Sequence, residues 1–313
     1  MFMRDYHAHE IGNVAVLGHS GCGKTSIVET MAYRAGAIGQ IGNIQSGNTI
    51  SDYSAEEIAR QSSINLSIVP IEWDNCKINL IDVPGTFDFV GETEAALSVC
   101  ESALIICPSY AGISAGTKQA MYKARDKGKI IYINGLDNPN SDYPTKLQQL
   151  KDTYGKGIAP IQVPIMDNNK MVGYVNVAKM EGRMFENGQT HVAPIPEDMM
   201  DEVLPIKAMI DEAVANTSDE LLEKYLEEEP FTKEEISNAL RQGVTDGSLI
   251  PVLCGTDRIG ISIILNSMCA FFDSANHPKN ALIVKDLKKD DEKILECNED
   301  SPTSLFVFKT ITD

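Results

Sequence analysis

N-V-A-V-L-G-H-S-G-C-G-K-T-S-I-V-E-T-M, residues Asn13 to Met31, joins a short apolar run to a glycine-rich turn and then to a helical pattern. From Gly18 to Thr25 the residues G-H-S-G-C-G-K-T fill the template G-x-x-x-x-G-K-[ST] completely, with the strand and helix that a P-loop requires on either side. Gly18, Gly21 and Gly23 let the backbone turn tightly, so that successive N–H groups point toward phosphate oxygens at the start of a helix. In this reading Lys24 meets the terminal phosphates and the Thr25 hydroxyl is placed to hold Mg²⁺. The phosphate-binding set is His19, Ser20, Gly21, Cys22, Gly23, Lys24, Thr25 and Ser26, with His19 also readable as a plain loop residue. The pattern points to a nucleoside triphosphate without naming its base.

Composition sets the frame around this loop. The chain has 313 residues, of which 43% are apolar, enough for one large domain or two modest ones with a packed core. No run of eighteen apolar residues occurs, and Met1 to Glu10 lacks the apolar centre of a signal peptide, so a cytoplasmic location is expected. The seven cysteines form no C-x-x-C pair and read as reduced, small core residues. A formal charge of −18 argues against autonomous nucleic-acid binding, which needs clustered Lys and Arg.

The hydrophobic pattern then predicts an α/β fold. After a helix ending near Arg34 comes a polar, glycine-rich segment to about Ser63, read as mobile. Asn65 to Trp73 and Lys77 to Asp82 flank an Asp74-Asn75 turn and predict a hairpin that adds one antiparallel strand. Ser102 to Cys107 and Lys129 to Asn134 are continuous apolar runs, as expected of buried parallel strands, with a helix over Gly116 to Asp126 between them. From about Gly155 the pattern changes: Ile161 to Pro164 and Met171 to Lys179 read as strands, and Pro196 to Val244 as two or three acidic helices. The sheet resumes at Leu249 to Cys254, followed by a helix over Ile261 to Phe272. The expected organisation is a mixed, mostly parallel sheet domain over 1–155 and 248–278, an inserted α+β subdomain over 156–247, and a linker over 279–302. A strand over 303–313 would open a further domain.

Two strand ends add to the P-loop. Asp82-Val83-Pro84-Gly85 places a carboxylate at the carboxyl end of a strand, where it can reach Mg²⁺ through water. The N–H of Gly85 is free to approach a γ-phosphate, which makes the loop a switch. Asn134-Gly135-Leu136-Asp137 ends another strand. A carboxylate at Asp137 can accept from the ring N–H and the amino group of guanine together, a pair adenine does not offer. The same tetrapeptide also reads as an Asn-Gly turn with an aspartate cap. A third strand end, Cys254-Gly255-Thr256, could give backbone N–H groups to the guanine oxygen.

The order P-loop, D-V-P-G-x-x-D-F, N-x-x-D and V-L-C-G-T resembles the translational GTPases. D-E-L-L-E-K-Y-L followed by E-E-I-S-N-A-L-R-Q-G-V resembles the subdomain inserted in the G domain of elongation factor G, and S-L-F-V-F-K-T-I-T-D the first strand of that family's second domain. The resemblance spans Ile11 to Asp313. It implies a P-loop GTPase sheet, GTP and GDP as ligands with Mg²⁺, the ribosome as partner of a full-length monomeric protein, and GTP hydrolysis driving a switch in translocation. Ribosomal protection proteins and class II release factors share this G domain. Ser63, in R-Q-S-S-I, falls where the family has the switch threonine of R-G-I-T, so the metal set is Thr25, Ser63 and Asp82. Three departures stand out: Gly21 replaces an Asp, Gly135 replaces a Lys whose stem packs on guanine, and Thr86 replaces the His that positions the attacking water. With Lys24 and Thr86 as the catalytic residues, binding is expected to be retained and hydrolysis weak. A nucleotide-dependent switch with little or no hydrolysis is the alternative. The acidic helices from Asp219 to Glu235 read first as a solvated face; the resemblance offers contact with the ribosomal stalk instead. Met199, Met200 and Met209 read as core of the insertion.

Overall fold

The computed structural model describes residues 4–186, 189–277, 281–286, 291–298 and 301–311. The chain runs through β1 (Ile11–Gly18), α1 (Lys24–Arg34), α2 (Ala55–Arg60), β2 (Ser67–Trp73), β3 (Cys76–Asp82), α3 (Val90–Leu97), β4 (Ser102–Pro108), α4 (Ala115–Lys123), β5 (Gly128–Asn134) and α5 (Tyr143–Tyr154). It continues with β6 (Ile158–Pro160), β7 (Gln162–Asp167), β8 (Lys170–Asn176), β9 (Glu181–Glu186), β10 (Gln189–Ala193), α6 (Met200–Ala215), α7 (Asp219–Leu226), α8 (Lys233–Asp246), β11 (Ile250–Gly255), α9 (Ile261–Phe271), β12 (Leu282–Asp286) and β13 (Asp291–Leu295).

Seven strands form the main sheet in the order β2-β3-β1-β4-β5-β11-β6, parallel throughout except for β2, which pairs antiparallel with β3. The central strands β4 and β5 are buried at every position, which is why their sequences are continuous apolar runs rather than alternations. Pro70 sits in the edge strand β2 and Pro160 in the edge strand β6, where a missing N–H costs no ladder bond. The β2–β3 turn is made by Asp74 and Asn75, both at positive φ, the conformation that a two-residue hairpin loop needs. The expected mixed α/β P-loop sheet with one antiparallel strand is the fold observed, and an antiparallel sheet of order β10-β9-β8-β7 stands beside it.

Several details differ from the sequence expectation. β6 pairs with β11 and so extends the main sheet, although it lies just after the point where the hydrophobic pattern changes. α8, drawn with the inserted helices, packs on α6 and also on β5, β11 and α9, with Ile236, Leu240 and Val244 buried on it. The polar segment before Ser63, read as mobile, holds α2 and is tied down by two buried glutamates. Glu29 Oε1 and Oε2 accept from Gly42 N and Ile50 N at 2.7 and 2.8 Å. Glu57 Oε1 accepts from Ile64 N and Asn65 N, both at 3.0 Å. Within the span expected as a linker, β12 and β13 pair antiparallel as a two-stranded sheet. Over 301–311 no strand forms, because no sheet edge receives it; Leu305 and Val307 are exposed, while Phe308 packs on the core and Lys309 pairs with Glu92 at the start of α3. Among the described residues, no helix is long and apolar enough to cross a membrane.

Candidate functional site

The site is built where β1, β3, β4, β5 and β11 end, at the carboxyl edge of the sheet. Gly18 leaves β1 so close to β4 that an added Cβ would meet the Ile106 carbonyl at 2.5 Å. Gly21 (φ 76°) and Gly23 (φ 94°) then fold the loop in the left-handed region and deliver the chain into α1. Lys24 is buried, and its Nζ donates to the carbonyls of Gly18 at 3.1 Å and His19 at 3.0 Å. Gly85 presses on this lysine from the next loop, for a Cβ there would lie 2.4 Å from Lys24 Nζ and 2.6 Å from Ser20 N. The D-V-P-G turn and the P-loop thus touch through a residue with no side chain.

Beneath them a polar cluster gathers oxygen atoms from three elements. Thr25 Oγ1 donates to Asp82 Oδ2 at 2.8 Å, and Ser63 Oγ lies 3.4 Å from Thr25 Oγ1. Asp52, which the sequence reading passed over, is buried beside them, and the nearby Ser63 hydroxyl works against the rise that burial gives its pKa. Asp52 Oδ1 and Asp82 Oδ1 have no hydrogen-bond partner among the described residues. Burial pushes the Asp82 carboxyl up to about 6, against the pull of Lys24 and the Thr25 hydroxyl, and Asp52 adds to the rise. Burial also raises Asp52. Two buried carboxylates with spare lone pairs beside two hydroxyls suit a hard divalent cation, and Mg²⁺ characteristically takes one or two carboxylates with phosphate and water completing its shell. No cluster of three or more His, Cys, Asp or Glu suited to a metal occurs among the described residues.

Thr86 lines a neighbouring cavity together with Gly18, Pro84, Gly85, Gly116 and Lys123. The His19 ring lies 6.4 Å from that of Phe87, with Gly116 of α4 packed against it and its Nδ1 buried without a partner among the described residues. Cys22 is buried and burial raises its thiol pKa, so it serves the loop as a small apolar residue; Ser26 lies in the first turn of α1 and its carbonyl accepts from Thr30 at 2.9 Å.

A second cleft opens from the other side of the P-loop, lined by Gly21, Gly23, Tyr110, Asn134, Gly135, Asp137 and Asp257. Asn134 Nδ2 donates to the Cys22 carbonyl at 2.9 Å, and Gly23 fits against the same amide, where a Cβ would clash at 2.5 Å. Gly135 takes φ 84°, and Asp137 is exposed rather than buried. The third loop needs correction. Cys254 N–H donates to Gln162 Oε1 at 3.1 Å and Thr256 N–H to Ile259 O at 3.0 Å, so neither is left for a ligand. Gly255 is buried under the Tyr132 hydroxyl, which lies 2.8 Å from the carbonyls of Thr256 and Ile259, while its own carbonyl accepts from Leu136 N. Asp257, the next residue, is the one that reaches the cleft, and its N–H has no acceptor among the described residues. No local pattern marks Asp52, Tyr110 or Asp257; the sheet brings them in.

The family model described as "Elongation factor Tu GTP binding domain" matches residues 9–274. A crystal structure of a protein from Thermus thermophilus superposes with a TM-score of 0.81 at 30% sequence identity, covering 88% of this chain and 42% of the other. The chain therefore spans about two fifths of the length of that protein.

Proposed function

This chain belongs to the elongation factor Tu GTP binding domain family, the G domain of translational GTPases, and from that premise we propose that it is the GTP- and GDP-binding part of an elongation factor G-like protein acting on the ribosome. The observation that carries the reading is the convergence of Thr25, Ser63 and Asp82 beneath Lys24, with an unpartnered carboxylate oxygen among them. The P-loop N–H groups and the Lys24 ammonium bind the β- and γ-phosphates. Thr25, Ser63 and Asp82 hold Mg²⁺, which offsets charge on the same phosphate oxygens. Gly85 offers its N–H where the γ-phosphate ends, so the D-V-P-G loop shifts with hydrolysis. Asn134 and Asp137 hold guanine. A cytoplasmic location follows from a ribosomal role, and the exposed acidic helix α7 is the surface offered to a basic partner at the ribosomal stalk.

Thr86 faces the cavity next to Gly85, and hydrolysis is slow because its short hydroxyl orients a water without the reach or charge of an imidazole. Loss of one such preorganised group costs on the order of 10²–10³ in rate. The same observation favours a second reading, a nucleotide-dependent switch on the ribosome that hardly hydrolyses GTP.

Two measurements test this. Calorimetry should show Mg²⁺-dependent binding of GTP and GDP that Lys24→Ala removes; unchanged affinity in the variant would end the P-loop assignment. Single-turnover hydrolysis, with and without ribosomes, should be faster in Thr86→His than in wild type. Equal rates would mean that Thr86 is not a catalytic deficit.

A further inference from the structure

We propose that Tyr110 is the platform on which the purine ring of the bound nucleotide stacks; the inference rests on the guanine-nucleotide reading above and deepens it. Hydrogen bonds accepted by Asp137 address only one edge of a base, and the two ring faces still need flat apolar cover to leave water. Gly135, at the head of the N-G-L-D turn, supplies none, since it has no side chain.

Tyr110 stands where that cover is missing. Its ring carbons Cε1 and Cδ1 lie 3.5 and 3.8 Å from the place a Cβ on Gly135 would occupy, which is ordinary van der Waals contact. The position is fixed by its neighbour: Ser109 donates its N–H to the Asn134 carbonyl at 2.8 Å and its hydroxyl to the Gly135 carbonyl at 2.6 Å. The end of β4 is therefore clipped to the base-reading turn, and Tyr110 follows directly.

The ring has no evident task within the fold. It is 45% exposed, and its hydroxyl has no hydrogen-bond partner among the described residues. Yet it lines the cleft that holds Asn134, Asp137 and Asp257, and among the residues lining that cleft it is the one aromatic group. Two carboxylates at the rim favour a base that presents N–H donors along its edge, and a neutral aromatic face suits any purine. Asp137 thus selects the base while Tyr110 supplies affinity that is indifferent to the base's hydrogen-bonding pattern.

The test measures binding of Mg²⁺·GDP and of Mg²⁺·pyrophosphate to the full chain by calorimetry, for wild type, Tyr110→Ala and Tyr110→Phe. Tyr110→Ala should weaken GDP about tenfold to a hundredfold, the range of base–aromatic stacking, and leave pyrophosphate unchanged. Tyr110→Phe should bind GDP within about twofold of wild type, because the hydroxyl does not take part. In the wild-type complex the Tyr110 ring protons should show ring-current shifts in NMR on addition of GDP and not of pyrophosphate. The proposal is overturned if Tyr110→Ala binds GDP like wild type, or if it loses pyrophosphate in equal measure, which would mark a structural role. A wild type that binds pyrophosphate but not GDP removes the guanine reading itself, an outcome distinct from a silent Tyr110→Ala.

Discussion

Asp82 combines two demands that oppose each other. Its carboxyl is buried and pushed from 3.8 up to about 6, so the folded chain holds a proton there more tightly than the unfolded chain does. Above about pH 6 the carboxylate is charged and its lost hydration weighs against the fold, whereas acidification toward pH 5 relieves that cost. A divalent cation requires the charged form and competes with the proton. Carboxyl ¹³C NMR should therefore find one aspartate titrating near 6, moving to lower pH once Mg²⁺·GDP is added. An Asp82 that titrates at the ordinary value in the free chain would mean that the oxygen cluster is wetter than its burial indicates. Lys24, Thr25 and Asp82 were legible because a short template fixes their spacing relative to a strand and a helix. Asp52, Tyr110 and Asp257 were not, since each stands beside the site only through packing between segments far apart in sequence.

At the scale of elements, the segment before β2 shows how a polar sequence becomes ordered. Ser54 caps α2 and Glu57 closes the capping box, with Ser54 Oγ donating to Glu57 Oε2 at 2.8 Å. The other oxygen of Glu57 collects the N–H groups of Ile64 and Asn65 and so fixes the turn that carries Ser63. Burial alone would raise the Glu57 pKa, but these donors outweigh it and lower the value. Glu57→Gln offers an amide where N–H donors expect an acceptor, a loss of about 1–3 kcal/mol. Hydrogen exchange over residues 62–66 should accelerate and Mg²⁺·nucleotide affinity should fall; unaltered exchange would show that Glu57 does not hold Ser63. The elements most readily read from sequence were those with strong periodicity or turn chemistry: β4 and β5 as apolar runs, α1 behind its glycines, and the β2–β3 hairpin around Asp74-Asn75. β6 escaped because three residues carry no period. β9 (E-G-R-M-F-E) and β10 (Q-T-H-V-A) escaped because they are stabilised by their neighbours in the small antiparallel sheet rather than by a buried apolar face of their own.

Over the whole molecule, five strand ends and the segment carrying Ser63 meet at one edge of the main sheet, so a ligand held there bridges elements contributed by residues 18 to 257. Binding to the folded chain alone should stabilise all of it: Mg²⁺·GDP at a hundred times its dissociation constant adds about 2.7 kcal/mol. A thermal melt should then rise by roughly 5 °C or more. Mg²⁺·ADP should give no comparable rise, and in Asp137→Asn the response should pass from guanine to xanthine diphosphate. The exposed setting of Asp137 means that its selectivity develops only as a base covers it, so an Asp137→Asn protein that still melts later with GDP would take base choice away from this residue. The acidic surface and the net charge of −18 act at this scale too, setting which partners are drawn in without altering the sheet.

The bond from Asn134 Nδ2 to the Cys22 carbonyl gives this layout a kinetic side. On the proposed reading it fastens the turn assigned to the base to the loop assigned to the phosphates, with Gly23 filling the space between. If a nucleotide binds as proposed, its two ends are gripped by loops that move together, and their release rates should be coupled. Dwell time would then be a property of the joined pair, and nucleotide release measured for an Asn134 substitution should be faster for the whole ligand, phosphates included.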